Sequence, residues 1–292
     1  MFKKIALTSL VAVTMAGAAN ASSFQYSDGP DWNRIAQSVF NPAYRPVQNK
    51  WAVMGGINFQ TGSNAAQTNE TRWQAGDFQV GDVSIRYGIL DQLFVSVEVA
   101  NNDGFGLNSY TGAVGQFANP EIGVNWQMWR PAKSFAIDLI GKYGIAWTKD
   151  ALTEQRIGEN NLQAGLRVYG DEGRFQWAAQ GISQWAFLQS GSMFEHDSLW
   201  NALFKLELEY EVVQKVGLKF EGNYNIYNAD KSSGIPIIYD RGVQFGVIFD
   251  VAPGVAALQP YVAYHFQTAN SENSQTANND FWQVGLKFGV QF

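Results

Sequence analysis

The chain has 292 residues, with 26 acidic against 20 basic side chains and a formal charge of −6, the wrong sign for a nucleic-acid partner. An apolar fraction of 46% goes with a slightly negative mean hydropathy of −0.19, as expected when apolar residues alternate with polar ones, and no run of about 18 apolar residues offers a helical membrane span. With no cysteine there is no disulfide framework and no thiolate nucleophile or metal ligand, and no other metal cluster or cofactor motif stands out.

At the amino terminus Lys3 and Lys4 precede an apolar stretch over residues 5–15, too short to span a bilayer, and a small-residue site at Ala19-Asn20-Ala21. This predicts a signal peptide over 1–21. Its removal takes away two lysines and moves the charge from −6 to −8. No cysteine follows the cleavage site, which excludes a lipid anchor there. Export then leaves a periplasmic protein, a secreted one or an outer-membrane barrel.

Residues 22–49 form a separate amino-terminal segment. Trp32, Ile35, Ala36, Val39 and Phe40 recur at helical spacing behind Asp31 as a possible cap, which predicts a short amphipathic helix. Its apolar stripe is then covered inside the lumen as a plug or under the periplasmic mouth, with a disordered segment as the third alternative. Asn41-Pro42-Ala43 follows it.

From residue 50 to 292 the pattern repeats. Strands of one orientation begin near Trp51, Leu93, Phe135, Phe175, Val216 and Leu258, and returning strands centre on 83–89, 122–128, 162–168, 200–210, 243–249 and 282–292. A period of about 40 residues also suits a six-bladed propeller. Each repeat, however, holds two long alternating strands and lacks the Gly-His and Trp-Asp signatures. The links at 90–92, 130–134, 170–174 and 211–215 are short, whereas those at 101–117, 148–160, 228–240 and 267–280 are long and rich in Asn, Ser, Thr and Gly. The expected fold is therefore an all-β, 12-stranded antiparallel transmembrane β-barrel with short periplasmic turns and long extracellular loops.

Outward positions supply two aromatic belts, Phe59, Trp147, Trp185, Phe187, Trp200, Tyr264 and Trp282 near one rim and Trp51, Tyr87, Phe135, Phe175, Tyr210 and Phe292 near the other. Inward positions carry both charge signs: Arg86, Glu98, Glu121, Asp138, Lys142, Arg167, Lys205, Glu207, Glu209, Lys219, Glu221 and Lys287. If Tyr210 pairs with Val216, Glu207 falls opposite Lys219 and Lys205 opposite Glu221; if Met128 pairs with Phe135, Glu121 falls opposite Lys142. Such pairs either tie the wall together or form a constriction that selects solutes. Phe94, Trp129, Tyr169, Tyr261 and Phe281 on the same faces predict a bore that is partly apolar. The long loops hold eleven acidic residues against four basic ones, a net −7 that attracts cations weakly or meets lipopolysaccharide through divalent ions.

The last eleven residues, 282–292, place Trp282, Val284, Leu286, Phe288, Val290 and Phe292 on one face, about the length that a tilted strand needs to cross a bilayer. This strand resembles the closing strand of bacterial outer-membrane barrels. In that group a terminal Phe is part of the signal read by the barrel assembly machinery, which implies the same role for Phe292, an address in the outer membrane of a Gram-negative bacterium, and contact with outer-membrane lipid and lipopolysaccharide. Asn41-Pro42-Ala43 resembles the plug motif of FadL-type channels for hydrophobic compounds, a family with fourteen strands. Arg86-Tyr87-Gly88-Ile89-Leu90-Asp91-Gln92-Leu93, Glu98-Val99, Asn119-Pro120-Glu121-Ile122-Gly123-Val124 and the Gly-rich final strand are similar to transporter barrels encoded with aromatic meta-cleavage (phenol degradation) pathways. Both resemblances imply uptake of small apolar or aromatic molecules; with the mixed inward set, the expected function is an outer-membrane channel for small amphipathic or aromatic solutes, without a cofactor and not an enzyme.

Two alternatives stand beside it. A structural or adhesive barrel without transport fits the same architecture. Outer-membrane phospholipase A is also a twelve-stranded barrel with a catalytic His two residues from its Ser, and His196-Asp197-Ser198 has that spacing. Here Leu199-Trp200 stands where that family carries Asn-Gly after the Ser, and the second histidine, His265, reads as a polar lining residue.

Overall fold

A computed structural model describes residues 38–62, 78–80, 83–99, 120–132, 135–145, 160–187, 198–213, 215–227, 237–270 and 276–292. The predicted signal peptide, most of the predicted amphipathic helix, most of the long loops, Trp147, His196 and Asp197 lie outside them; residues 237–240, 267–270 and 276–280, expected in loops, are strand.

The strands in chain order are β1 (Trp51–Gly62), β2 (Phe78–Val80), β3 (Val83–Leu90), β4 (Leu93–Val99), β5 (Pro120–Ala132), β6 (Phe135–Gly144), β7 (Asn160–Glu172), β8 (Phe175–Phe187), β9 (Ser198–Val213), β10 (Val216–Tyr227), β11 (Ile237–Ala252), β12 (Ala256–Asn270) and β13 (Thr276–Gln291). Each pairs antiparallel with its neighbours, and β13 returns to β1 with Ala52 opposite Gln291 and Gly62 opposite Phe281. Both β2 and β3 pair with β1, where Ile57 meets Val80 and Met54 meets Ser84. Three steps on β1 thus face four on its partner, and the two short strands form one stave interrupted by a bulge-like slip. Thirteen segments make a closed twelve-stave barrel.

Alternation dictates which side chains go where, because successive residues of a strand point to opposite faces. On β13, Gln283, Gly289 and Gln291 are buried while Trp282, Val284, Phe288 and Val290 are exposed. The same split runs round the barrel. Phe59, Ile122, Leu166, Phe204, Phe245 and their neighbours cover the outside, whereas Asn58, Asn125, Gln127, Asp138, Gln163, Asn201, Gln259 and Gln283 are buried within. Polar inside and apolar outside is the inverse of a water-soluble domain and suits a hydrocarbon surrounding.

The described turns gather at one end with the strand termini Trp51 and Phe292, which exchange backbone hydrogen bonds of 2.9 Å in both directions. Three of these turns use a left-handed residue, Gly173 (φ 74°), Lys215 (φ 74°) and Gly254 (φ 71°). Exposed Trp51, Phe175, Tyr210 and Phe292 ring this end, and exposed Phe59, Trp185, Phe187, Trp200 and Trp282 ring the other.

Two register expectations are corrected here. Gln127 pairs with Asp138 but Trp129 with Ile137, so a bulge in β5 inserts one residue and turns Trp129 outward. Trp129 is 46% exposed and packs edge-on against outward Phe135; it does not line the lumen. In the β9–β10 hairpin, β9 runs on to Val213 and turns tightly at Lys215, with an irregularity between Val216 and Gly217. The pairing is shifted by two from the expected one, and Glu207 faces Glu221 while Lys219 faces Glu209. Similarly Glu121 faces Gly144, and Lys142 faces Gly123.

Candidate functional site

The lumen near the turn-bearing end is crossed by residues 38–49. They hold no regular helix: Phe40 N–H bonds the Ser38 hydroxyl at 3.2 Å, and the Asn41 and Tyr44 N–H groups bond the Ser38 and Asn41 carbonyls, each at 3.0 Å. Pro42, Tyr44 and Pro46 then alternate as buried residues along an extended run. The run ends in a parallel bridge of Gln48 to Gly88.

Strands from all round the barrel hold this segment. Lys219 on β10 donates to the Phe40 carbonyl at 2.6 Å, Arg167 on β7 to the Pro42 carbonyl, and Tyr44 to Gln291 on β13 at 2.6 Å. Arg45 pairs with Asp138 on β6. Val39, Phe40 and Tyr44 pack with Ala52, Met54, Ile248 and Ala257, and Ala43 packs against Ala136, Tyr169 and Ala178. Burial raises the Tyr44 pKa, with nearby Arg86 pulling it down to a lesser extent, so the phenol stays a neutral donor. Two glycines make the fit possible. A Cβ on Gly289 would stand 2.2 Å from Val39 Cγ2, and one on Gly88 would stand 2.2 Å from the Val47 carbonyl oxygen. No other residue type admits the segment at those points.

Above this floor lie two ion clusters. On β3 to β6, Lys142 pairs with Glu98 and lies 3.7 Å from Glu121, Arg86 lies 3.9 Å from Glu98, and Gln163 on the neighbouring β7 donates to Glu121 at 2.5 Å. On β9, β10 and β13, Lys205 lies 3.3 Å from Glu207 and 3.1 Å from Glu221, and Lys219 lies 2.9 Å and 3.1 Å from the same two. Lys287 lies 3.6 Å from Glu221, bonds Gln244 at 3.1 Å and stands 4.9 Å over the Tyr261 ring. The two glutamates that face each other directly are therefore kept together by lysines placed diagonally on both sides. This is a square of charges rather than the expected two-rung ladder.

The floor and the belt share residues. Lys219 serves both the Phe40 carbonyl and the two glutamates. Phe94, buried on β4, takes Arg45 of the segment at 5.2 Å and Arg86 of the belt at 5.9 Å from its ring centre. Tyr169 accepts from Gln127 and lies 5.1 Å from the Arg167 guanidinium.

Of the residues singled out from sequence, Arg86, Glu98, Glu121, Lys142, Lys205, Glu207, Lys219, Glu221 and Lys287 come together as the belt. Arg167, Phe94, Tyr169 and Tyr261 line the lumen beside it, and Asn41, Pro42 and Ala43 lie within it. The Phe281 side chain lies outside the described ones. Arg45, Asp138, Gln163, Gln244 and Gln291 complete the arrangement. Alternation alone marks Asp138 and the glutamines as inward, but nothing in the sequence ties Arg45 to a partner 93 positions away.

Solved structures share the architecture. An outer membrane channel from Pseudomonas putida F1 superposes with a TM-score of 0.50 at 12% identity, over 88% of this chain and 100% of that one. The NanC porin gives 0.47 at 10% identity over 81% and 98%, and the KdgM porin in complex with disordered oligogalacturonate gives 0.46 at 10% over 81% and 97%. No protein-family model and no curated protein matches the chain. The fold is that of outer-membrane β-barrels.

Proposed function

We propose that this chain is an outer-membrane channel for small amphipathic or aromatic solutes, and that residues 22–49 are its plug. The observation that carries the reading is the double use of Lys219 and of the Arg45–Phe94–Arg86 stack, which couple the segment across the lumen to the charged belt above it. A brace for the wall needs no such segment. Its anchors from Lys219 and Arg167 are exchangeable hydrogen bonds to backbone carbonyls, which a competing anion can draw away.

The belt also suits the solute class. Arg86, Lys142, Lys205, Lys219 and Lys287 oppose Glu98, Glu121, Glu207 and Glu221, a surplus of one positive charge. Lys205, with 40% of its side chain exposed, and Lys287, with 27%, offer cations to the bore beside the Tyr261 ring. A carboxylate on an aromatic ring meets complementary groups on both counts. The resemblance of Asn41-Pro42-Ala43 to FadL-type plugs, and of the hairpins from Arg86 to Val124 to barrels of aromatic degradation pathways, points the same way.

Liposomes carrying the refolded chain test this. Benzoate-type acids should enter faster than into empty vesicles, and faster than sugars of similar size. Equal entry of all solutes with and without the protein gives the role to a structural or adhesive barrel, which the dense ion pairing also fits.

A further inference from the structure

The outward face of the described strands carries one basic side chain away from the turn-bearing end, Arg241 on β11. Its alternation is unambiguous: Asp240 and Gly242 are buried while Val243, Phe245 and Phe249 are exposed. From Val251, the last outward residue at the turn end, Arg241 is ten residues along the strand. That is about 34 Å of chain and, at the usual tilt, about 25 Å of height, the thickness of the apolar band. Arg241 pairs with Phe266, one outward step beyond the row in which Val243 meets Tyr264 and Tyr264 meets Trp282. It therefore stands just past the aromatic belt, at the level of lipid headgroups.

Three rings hold it there. The Arg241 guanidinium lies 5.5 Å from the centre of Tyr224, 5.7 Å from Tyr239 and 5.7 Å from Phe266. Among the described residues these ring contacts are its only partners. The acid on the same face, Asp280, sits two strands away and takes a 3.3 Å hydrogen bond from Tyr264. Aromatic rings satisfy the faces of a guanidinium and leave its N–H edge open, and that edge is the fork that binds phosphate or carboxylate in two-point fashion. Below the row of Tyr264 and Trp282 the surface is apolar, with Val243 and Phe245 on β11, Val262 on β12 and Val284 on β13 all exposed.

We infer that Arg241, caged by Tyr224, Tyr239 and Phe266, is a binding site for the phosphorylated headgroup of a glycolipid of the surrounding leaflet. The headgroup phosphate meets the guanidinium edge and the acyl chains lie on the apolar strip beneath. The site is on the outer wall and does not depend on the lumen being a transport route. A phosphate so placed exchanges hydration for charge-assisted hydrogen bonds in a layer of low dielectric, while the rings fix the side chain in advance.

Native mass spectrometry of the refolded full chain in detergent tests the inference, with lipid A, the same lipid A after enzymatic removal of its phosphates, and inorganic phosphate as probes. The wild-type barrel should retain phosphorylated lipid A about tenfold more tightly than the dephosphorylated form. Arg241→Gln should abolish that difference, Tyr224→Leu should reduce it, and Arg130→Gln, at the turn end, should leave it intact. Equal retention of the two lipids by the wild type overturns the site without any variant. So does an Arg241→Gln barrel that keeps the preference, a change in oligomeric state with lipid retention unaltered, or displacement of the lipid by inorganic phosphate at equal concentration.

Discussion

The two ion clusters of the lumen use the same residue types and do different work. The one on β3 to β6 is balanced, Arg86 and Lys142 against Glu98 and Glu121, and reaches the amino-terminal segment through the Phe94 ring and through the charge of Arg86 near Tyr44. The one on β9, β10 and β13 sets three lysines against two glutamates, binds the segment directly through Lys219, and leaves Lys205 exposed to the bore. The first is a brace within the wall and the second a link between the wall and the amino-terminal segment. Charge counts do not distinguish them. What distinguishes them is whether a buried cation also serves a backbone carbonyl of the segment.

The same contrast at the carboxy terminus gives the largest expected effect. Phe292 belongs to the wall, exposed beside Trp51, whereas inward Gln291 holds Tyr44. Deleting Phe292 should reduce the outer-membrane yield several-fold. Gln291→Ala should leave the yield unchanged but speed proteolysis of the segment. Equal yields for the two variants would break the distinction.

Removing one buried cation from each cluster comes next. Lys142→Met and Lys219→Met both strand carboxylates, and each should lower stability by about 3–5 kcal/mol in urea unfolding. Only Lys219→Met should raise single-channel conductance, because only it releases the Phe40 carbonyl. A similar rise in both variants would make the clusters equivalent.

Charge reversal sharpens this further. Exchanging Glu98 and Lys142 should restore most of the stability lost by either single reversal, a coupling of about 1–3 kcal/mol. Exchanging Glu207 and Lys219 should recover part of it but leave the channel open, since a carboxylate then faces the Phe40 carbonyl. Additive single effects in either cycle would mean that the residues are not partners.

The smallest effect belongs to Lys205→Gln. An exposed cation contributes about 1 kcal/mol or less to stability, so unfolding should hardly change. Uptake of an aromatic acid should still fall about threefold relative to its neutral amide, an electrostatic effect at the bore. Equal losses for both solutes would remove Lys205 from solute recognition.

Alternation made the wall legible. The expected strand starts at Trp51, Leu93, Phe135, Phe175 and Val216 coincide with the observed ones, the sixth begins two residues early at Ala256, and the inward set follows from period two alone. The failures sit at bulges and turns. Trp129 was expected inside because a strand without interruption puts it there, but one inserted residue in β5 reverses the parity. A turn over 211–215 would put Glu207 opposite Lys219, but Lys215 in a left-handed conformation lets β9 run on to Val213. Neither event has a sequence mark as strong as alternation. The fit of the segment was less legible still. Val39 against Gly289 and Arg45 against Asp138 join positions far apart in the chain, and their meeting is decided by closure of the whole barrel.

The central claim, that the segment is a gate linked to the belt through Lys219, is tested most directly by planar-bilayer conductance of the refolded chain with and without residues 22–49. The intact protein should conduct poorly and show rare openings, and the shortened one should pass a steady, larger current of weak anion preference. Identical conductance in the two proteins, with the shortened barrel correctly folded, would contradict the account.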